Sequence, residues 1–174
     1  MKPVYIIVFF YISCFGQSGK KRLNMDLRTS LDILFLDKKG NNLLKASTEG
    51  HFLLGEMKLF FIEKGRKIEV NDPMLDYPRR IRLINNQEDL VCLRVDANVG
   101  FSEDVILSNK DGKIGRSTSI LQLNQSCTDT IITEWLAGPK QLLITKAWYN
   151  GRLVYSVTEG IKSLKYGDGF IIIK

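Results

Sequence analysis

The chain has 174 residues, of which 44% are hydrophobic and 25% are charged, and its formal net charge is +6 at pH 7. These are ordinary globular values, so the chain can bury a real core as one domain, or as one domain plus a tether. The surplus of positive charge comes without a recognisable nucleic-acid module, and we therefore expect no nucleic-acid partner.

The first residues have the layout of an export signal. One cation, Lys2, precedes an unbroken apolar run from Val4 to Ile12, and the small residue Ser13 stands directly before Cys14. A membrane-spanning helix needs about 20 apolar residues, roughly twice the length of this run, so a cleaved signal is favoured over a span. We expect residues 1–13 to be removed and the protein to work outside the cytoplasm.

Cys14 is the predicted site of lipid attachment. The sequence Ile-Ser-Cys that ends at Cys14 resembles the lipobox of bacterial lipoproteins, which implies that Cys14 becomes the acylated first residue of the mature chain and carries palmitate. Lipoboxes usually have a small or aliphatic residue three places before the Cys, where this chain has Tyr11. The alternative is cleavage after Gly16, which would give a soluble protein.

Residues 14–27 are predicted to form a flexible basic tether. The stretch combines Gly and Ser with Lys20, Lys21 and Arg22 and has no periodicity. Basic residues beside a membrane each add roughly 1 kcal/mol of attraction to anionic headgroups. We expect the protein to lie at the cell envelope, on the outer membrane, with a soluble periplasmic or secreted protein as the alternative.

Residues 28–174 are predicted to form one domain built from short strands. Runs rich in Val, Ile, Phe, Leu, Thr and aromatic residues alternate with clusters of Gly, Asn, Asp and Pro, and no window has a helical period of helix length. The predicted strands are 30–36, 56–63, 67–70, 80–84, 90–95, 105–107, 117–123, 130–136, 141–149, 152–157 and 170–173. The expected fold class is all-β, as an antiparallel immunoglobulin-like β-sandwich, with a small lipocalin-like β-barrel as the alternative.

The dipeptide Asn150-Gly151 predicts a tight hairpin, because both positions of a two-residue type I′ turn need a positive φ. A two-residue loop pairs Tyr149 with Arg152 and Trp148 with Leu153. If the antiparallel pairing continues without interruption, Ala147 pairs with Val154 and Lys146 with Tyr155. Alternation along these strands puts Trp148 and Leu153 on the expected core face, and Tyr149 and Arg152 on the less buried face.

Three features together carry a wider resemblance. They are Cys14 in its setting, the turn Asp-x-x-Gly-Asn-Asn that begins at Asp37, and the sequence Trp-Tyr-Asn-Gly that begins at Trp148. Taken whole, the chain resembles small uncharacterised lipoproteins of Gram-negative bacteria whose mature part is an immunoglobulin-like sandwich. The resemblance implies a location and a fold, and it brings no catalytic residues with it.

The chain has three cysteines, so one of them cannot pair in a disulfide within an exported chain. Lipidation of Cys14 would account for the odd one, and Cys92 and Cys127 could then pair in an oxidising compartment. Such a bridge would contribute about 3–4 kcal/mol by the chain-entropy estimate. The alternative is two unrelated thiols, since Cys is often a small buried apolar residue.

The sequence offers few catalytic candidates. His51 is the only histidine and lies in a loop-to-strand context without an elbow motif, so we name no catalytic residue and expect no metal and no cofactor. Carboxylates leave one enzymatic alternative open. A glycosidase-like hydrolase needs only two of them brought together by the fold.

The expected function is that of a non-catalytic binding or assembly module at the cell envelope, with the membrane, a glycan or an envelope protein as partner. Aromatic residues and Arg are favoured interface anchors, although strand aromatics also pack in cores. The predicted binding surface consists of Trp135, Trp148, Tyr149, Arg152 and Tyr155. The alternatives are a secreted carboxylate hydrolase and an inhibitor-type protein that inserts the loop of residues 71–80 into a partner.

Overall fold

The computed structural model describes residues 26–85, 90–99, 105–109, 112–161 and 169–174. The predicted signal peptide, Cys14 and the tether before residue 26 lie outside the described residues. Within the described ranges all regular structure is β-strand, so the predicted all-β class is confirmed. The same ranges contain no helical segment with the length and hydrophobicity needed to cross a bilayer.

Twelve strands are present in these ranges. They are β1 (Asp26–Arg28), β2 (Ser30–Leu36), β3 (Lys58–Glu63), β4 (Arg66–Glu69), β5 (Ile81–Asn85), β6 (Val91–Asp96), β7 (Val105–Asn109), β8 (Gly112–Gln122), β9 (Thr128–Gly138), β10 (Gln141–Tyr149), β11 (Arg152–Ser156) and β12 (Gly169–Ile173). Most strands begin and end where turn-forming residues stand in the sequence, because Gly, Asn and Asp tolerate the backbone angles that strands do not.

The strands form two sheets. The larger sheet has the order β1-β10-β9-β8-β3-β4, with β11 paired to β10 and β7 paired to β8, and the smaller sheet has the order β12-β2-β6-β5. Within the described residues neither sheet closes on itself, so the barrel alternative is wrong. Both sheets are mixed, since β1 runs parallel to β10 and β12 runs parallel to β2. The fully antiparallel arrangement that we expected is therefore also wrong.

One apolar core joins the two sheets. Phe35 of β2 and Phe170 of β12 are fully buried and meet Tyr149 of β10 edge to face, at ring-centroid distances of 6.3 and 5.8 Å. Edge-to-face packing of this kind adds about 0.5–1.5 kcal/mol to the burial of each pair. The inner faces of both sheets contribute to the same cluster, so the sheets hold each other in place.

The hairpin between β10 and β11 follows the predicted turn but not the predicted faces. Asn150 and Gly151 have φ of 49° and 81°, and Tyr149 pairs with Arg152 and Trp148 with Leu153, as predicted. A bulge next to Trp148 then shifts the register by one residue. The predicted core face is wrong because Tyr149 is only 4% exposed, whereas Trp148 and Leu153 are half-buried.

Candidate binding groove

The edges of the two sheets flank an open groove of about 610 Å³. Strand β11 borders it from the larger sheet and β12 borders it from the smaller sheet. Sites for small ligands usually have volumes of about 300–1,000 Å³ and a mainly apolar lining. The groove therefore has the size and position of a binding site, and we refer to it as the β11–β12 groove.

Six of the ten described residues that line the β11–β12 groove are aliphatic, and polar and apolar atoms share its surface about equally. The aliphatic residues that line it are Leu153, Val154, Ile161, Ile171, Ile172 and Ile173. Two of them are strongly exposed, since Ile173 keeps 68% and Ile161 keeps 36% of its surface accessible to water. Clustered exposed aliphatic residues, unlike scattered ones, are typical of interaction surfaces.

Two strand edges run along the groove without a partner among the described residues. β12 is the terminal strand of the smaller sheet, and β11 pairs only with β10 apart from a single bridge between Ser156 and Ile161. The Lys174 amide donates to the Leu36 carbonyl of β2 at 2.8 Å. Because backbone groups alternate in direction along a strand, Ile173 directs its N–H and C=O away from β2.

A buried carboxylate lies next to one end of the groove, where it is hydrogen-bonded to three of the lining residues. Asp129 of β9 is 3% exposed and accepts short hydrogen bonds from three side chains, in addition to a longer one from Cys127 Sγ at 3.9 Å. Lys174 Nζ donates to it at 2.6 and 2.7 Å, the Tyr149 hydroxyl at 2.6 Å and Asn150 Nδ2 at 2.7 Å. Lys174 follows β12 in the smaller sheet, whereas Asp129 and Tyr149 belong to the larger sheet. We call Asp129, Lys174, Tyr149 and Asn150 the Asp129 network, and it ties the two sheets together.

Two groups of the Asp129 network, the Asp129 carboxyl and the Tyr149 phenol, have shifted pKa values. Burial alone raises the pKa of the Asp129 carboxyl, but the hydrogen bonds from Lys174, Tyr149 and Asn150 outweigh burial, and the pKa lies below its usual value. Desolvation, followed by the hydrogen bond to Asp129, raises the pKa of the Tyr149 phenol. With its pKa lowered, the Asp129 carboxyl stays ionised near neutral pH, and with its pKa raised, the Tyr149 phenol stays neutral. The hydrogen bonds of the network therefore stabilise the contact between the two sheets.

Arg152 is the uncompensated charge of the groove. It is exposed, and no ion pair joins it to any described residue. The charge of Lys174 is balanced by Asp129, and no carboxylate side chain is among the residues that line the groove. Arg152 therefore places an exposed positive charge beside the aliphatic residues of the groove.

The predicted aromatic surface does not exist as one surface. Trp135 is 1% exposed and donates its indole N–H to Ser117 Oγ at 2.8 Å, while Tyr149 and Tyr155 are 4% and 3% exposed. Trp148 lies on the outer face of the larger sheet, with the guanidinium of Arg116 at 4.9 Å from its ring. Of the five predicted residues, Arg152 is the exposed one in the groove, because the large apolar area of the aromatic rings favours their burial.

Cys92 and Cys127 are not joined by a disulfide. Cys92 of β6 packs against Leu34 on the outer face of the smaller sheet, whereas Cys127 lies just before β9 of the larger sheet. Lys174 Nζ is 3.4 Å from Cys127 Sγ, which places this thiol beside the Asp129 network. The two cysteines belong to different sheets and different clusters, so the bridge that the sequence left open is absent.

The histidine, carboxylate and metal-ligand candidates of the sequence do not come together in a catalytic or metal site within the described ranges. The ring of His51 contacts the carbonyl of Thr48 at 3.0 Å inside a local turn. Asp32 forms a two-point ion pair with Arg94 at 2.7 and 2.8 Å. The described residues contain no group of three or more potential metal ligands.

Sequence reasoning missed the residues that build the groove. The sequence alone does not single out Asp129, Lys174 or the isoleucines of β12 as site residues. A signal does exist, because three consecutive isoleucines, 171–173, suit a strand with apolar contacts on both faces. Which edge such a strand occupies depends on its pairing.

The chain matches no protein-family model, no curated protein and no solved structure. The groove's own chemistry is therefore the basis for a functional proposal.

Proposed function

We propose that the protein is an exported, non-catalytic binding module of the cell envelope, and that the β11–β12 groove is its binding site. The observation that carries this proposal is the groove itself, in which exposed aliphatic side chains lie beside the edge of β12, which has no strand partner among the described residues. Burying Ile173 alone under a ligand would contribute up to roughly 1.5–3 kcal/mol. A soluble domain rarely exposes such a surface without a partner for it.

The polar groups at the groove support binding over catalysis. Lys174 Nζ donates to both oxygens of Asp129, so it is engaged as a hydrogen-bond donor within the Asp129 network. The raised pKa of Tyr149 keeps its phenol neutral, and Asp129 is enclosed by its three donors. A general acid or base must reach the substrate and change its protonation state, and these groups do neither.

The location is proposed from the sequence. Lys2, the apolar run and Cys14 support export followed by lipid attachment to the outer membrane, with the basic tether next to the headgroups. The finer fold assignment, an immunoglobulin-like sandwich, is proposed on the shared core of the two sheets. The twelve strands and the two parallel pairings are departures from the usual seven to nine antiparallel strands of that fold.

An inhibitor-type function is a second candidate, because the loop of residues 71–80 is held at its base and exposed at its tip. Arg79 donates to three backbone carbonyls, those of Leu54, Gly55 and Met57, at 3.1–3.2 Å. Met74 at the tip is 89% exposed. A rigid loop with an exposed apolar tip suits insertion into a partner's cleft. Met74→Ala would abolish inhibition of such a partner, and unchanged binding would exclude this candidate.

Two experiments test the leading proposal. The first compares intact mass and labelled-palmitate incorporation for the wild type and for Cys14→Ala. Acyl mass that disappears in the variant supports the lipid anchor, and an unmodified chain that starts at Gln17 contradicts it.

The second experiment places a photo-crosslinking amino acid at Ile161, in the groove, or at Ile106 of β7 as the control. Ile106 is 60% exposed and does not line the groove. We expect a discrete adduct from Ile161 in intact cells and none from Ile106. Equal labelling at both positions, or no adduct at Ile161, contradicts the groove as a binding site.

A further inference from the structure

We infer that the β11–β12 groove binds an extended, apolar peptide segment that carries a carboxylate, and that the segment adds as a strand to the edge of β12 that has no strand partner among the described residues. This inference rests on the proposed function and names the chemical class of its ligand.

The backbone of β12 provides the first argument. The hydrogen bond from Lys174 to Leu36 fixes the phase of the parallel pairing with β2. Alternation then directs the N–H and C=O groups of Ile171 and Ile173 away from β2, towards the outer edge of β12. A row of such groups is a ready template for an incoming strand, which is the mode of recognition by β-strand addition. An acyl chain has no backbone groups with which to satisfy them.

The side chains provide the second argument. Every second side chain of an added strand points to the same side, so one set would enter the groove and contact Val154 and Leu153. Their aliphatic surface selects apolar residues at those alternate positions. The groove volume of about 610 Å³ leaves room for several such side chains.

Charge selects between partners. Arg152 has no ion-pair partner among the described residues, whereas the Lys174 side chain is paired with Asp129, so a carboxylate on the ligand would have Arg152 as its counter-ion. A second copy of this chain, by contrast, would bring a second Arg152 to the same edge and would add to a chain with a net charge of +6. An acidic apolar segment therefore fits better than self-association.

The test is a titration of the purified ¹⁵N-labelled protein with three peptides. The first alternates Val and Thr between Glu ends, the second replaces the Glu ends by Lys, and the third has Pro at the central Val. We expect saturable binding of the first peptide, with shifts and slowed hydrogen exchange at the amides of Ile171 and Ile173. The Lys-ended and Pro-containing peptides should each bind about tenfold more weakly or less.

Variants of the protein distinguish the contribution of the β12 backbone to peptide binding from that of the side chains. Ile173→Pro removes one outward N–H, lies at a 68% exposed side chain and leaves the pairing with β2 intact. We expect it to weaken binding of the Glu-ended peptide about tenfold or more, while Ile173→Val binds like the wild type. Arg152→Gln should weaken binding about 3–10-fold and remove the preference for Glu over Lys ends. Because Arg152 is exposed, this variant keeps the test valid if Ile173→Pro fails to fold.

Several results would overturn the inference. Equal affinity for all three peptides would contradict strand addition, and so would unchanged binding by Ile173→Pro. Competition by lauric acid, with no amide protection in β12, would identify an acyl ligand, and a concentration-dependent dimer that uses the β12 edge would identify a second copy. If adducts form at Ile161 but the peptide does not bind, strand addition fails and the binding site stands. If neither is observed, both fail.

Discussion

The substitution Tyr149→Phe tests the Asp129 network with a single atom removed. The hydroxyl donates to Asp129 Oδ2 at 2.6 Å, while the ring contacts Phe35 and Phe170 edge to face. Phe keeps the ring contacts and loses only the hydrogen bond. A hydrogen bond to a charged group contributes about 1.5–3 kcal/mol, so we expect the free energy of unfolding at pH 7 to fall by about that amount.

The effect should depend on pH in a defined direction. The pKa of Asp129 in the folded protein lies below its ordinary value, mainly because hydrogen bonds outweigh burial. Its stabilisation is therefore present above the unfolded pKa of about 3.9 and is lost as the pH falls through the folded value. In Tyr149→Phe the pKa of Asp129 is lowered less, so the variant loses less stability than the wild type as the pH falls. The difference between wild type and variant should shrink below about pH 4.

The assay is urea unfolding of the purified protein, followed by circular dichroism at pH 7 and at pH 3. For a chain of this size the expected loss corresponds to a fall in Tm of about 3–12 °C. Tyr77→Phe is the matched control, because Tyr77 is 49% exposed and should change stability by less than about 0.5 kcal/mol. If Tyr149→Phe is as stable as the wild type at pH 7, or if its deficit is the same at pH 3, the described network is wrong.

Three further predictions follow from the described contacts. Gly115→Ala should destabilise the fold by about 1–3 kcal/mol or more in urea, because a Cβ there would lie 2.0 Å from the indole of Trp135; wild-type stability would contradict this packing. Asn150→Ala should cost about 1–3 kcal/mol in the same assay, since it removes two side-chain hydrogen bonds at a residue with φ of 49°, and a neutral effect would contradict the turn geometry. In alkylation followed by mass spectrometry, Cys127 should react in the native protein and fully buried Cys92 only in denaturant, and a Cys92–Cys127 disulfide would contradict the structure.

The positions of the strands could be predicted from the sequence. The predicted strands 30–36 and 141–149 coincide with β2 and β10, because Asp37 and Asn150 end them with residues that favour turns. The φ angles at Asn150 and Gly151 followed from the dipeptide itself. Local preferences decide such features, and local preferences are written in short stretches of sequence.

The pairing of strands and the direction of their faces could not be predicted. The parallel contact of β12 with β2 joins distant parts of the chain, and an apolar run has the same pattern whichever strand lies beside it. Apolar residues stand on both faces of β10, so alternation could not tell whether Tyr149 or Trp148 is buried. The bulge next to Trp148 and the hydrogen bond to Asp129 decide this, and neither leaves a sequence signal.

The groove could not be predicted from the sequence either, because its position depends on the same pairing of strands. Arg152 was predicted as a binding residue from its type and its place beside a turn, and it is exposed in the groove. Ile173 and Lys174 were missed because their role depends on which strand forms the edge of the smaller sheet. The same holds for Cys92 and Cys127, whose separation depends on the assignment of their strands to different sheets.

The most direct test of the central claim, that the β11–β12 groove is an occupied binding site in the cell envelope, is amide hydrogen exchange across β12. Exchange would be measured by mass spectrometry on the protein in isolated envelope membranes, and on the same protein after release and purification. The account predicts that the segment containing Ile171 and Ile173 exchanges more slowly in the membranes than after release, while the segment containing Ile106 exchanges equally in both. Identical exchange of β12 in the two preparations would contradict it.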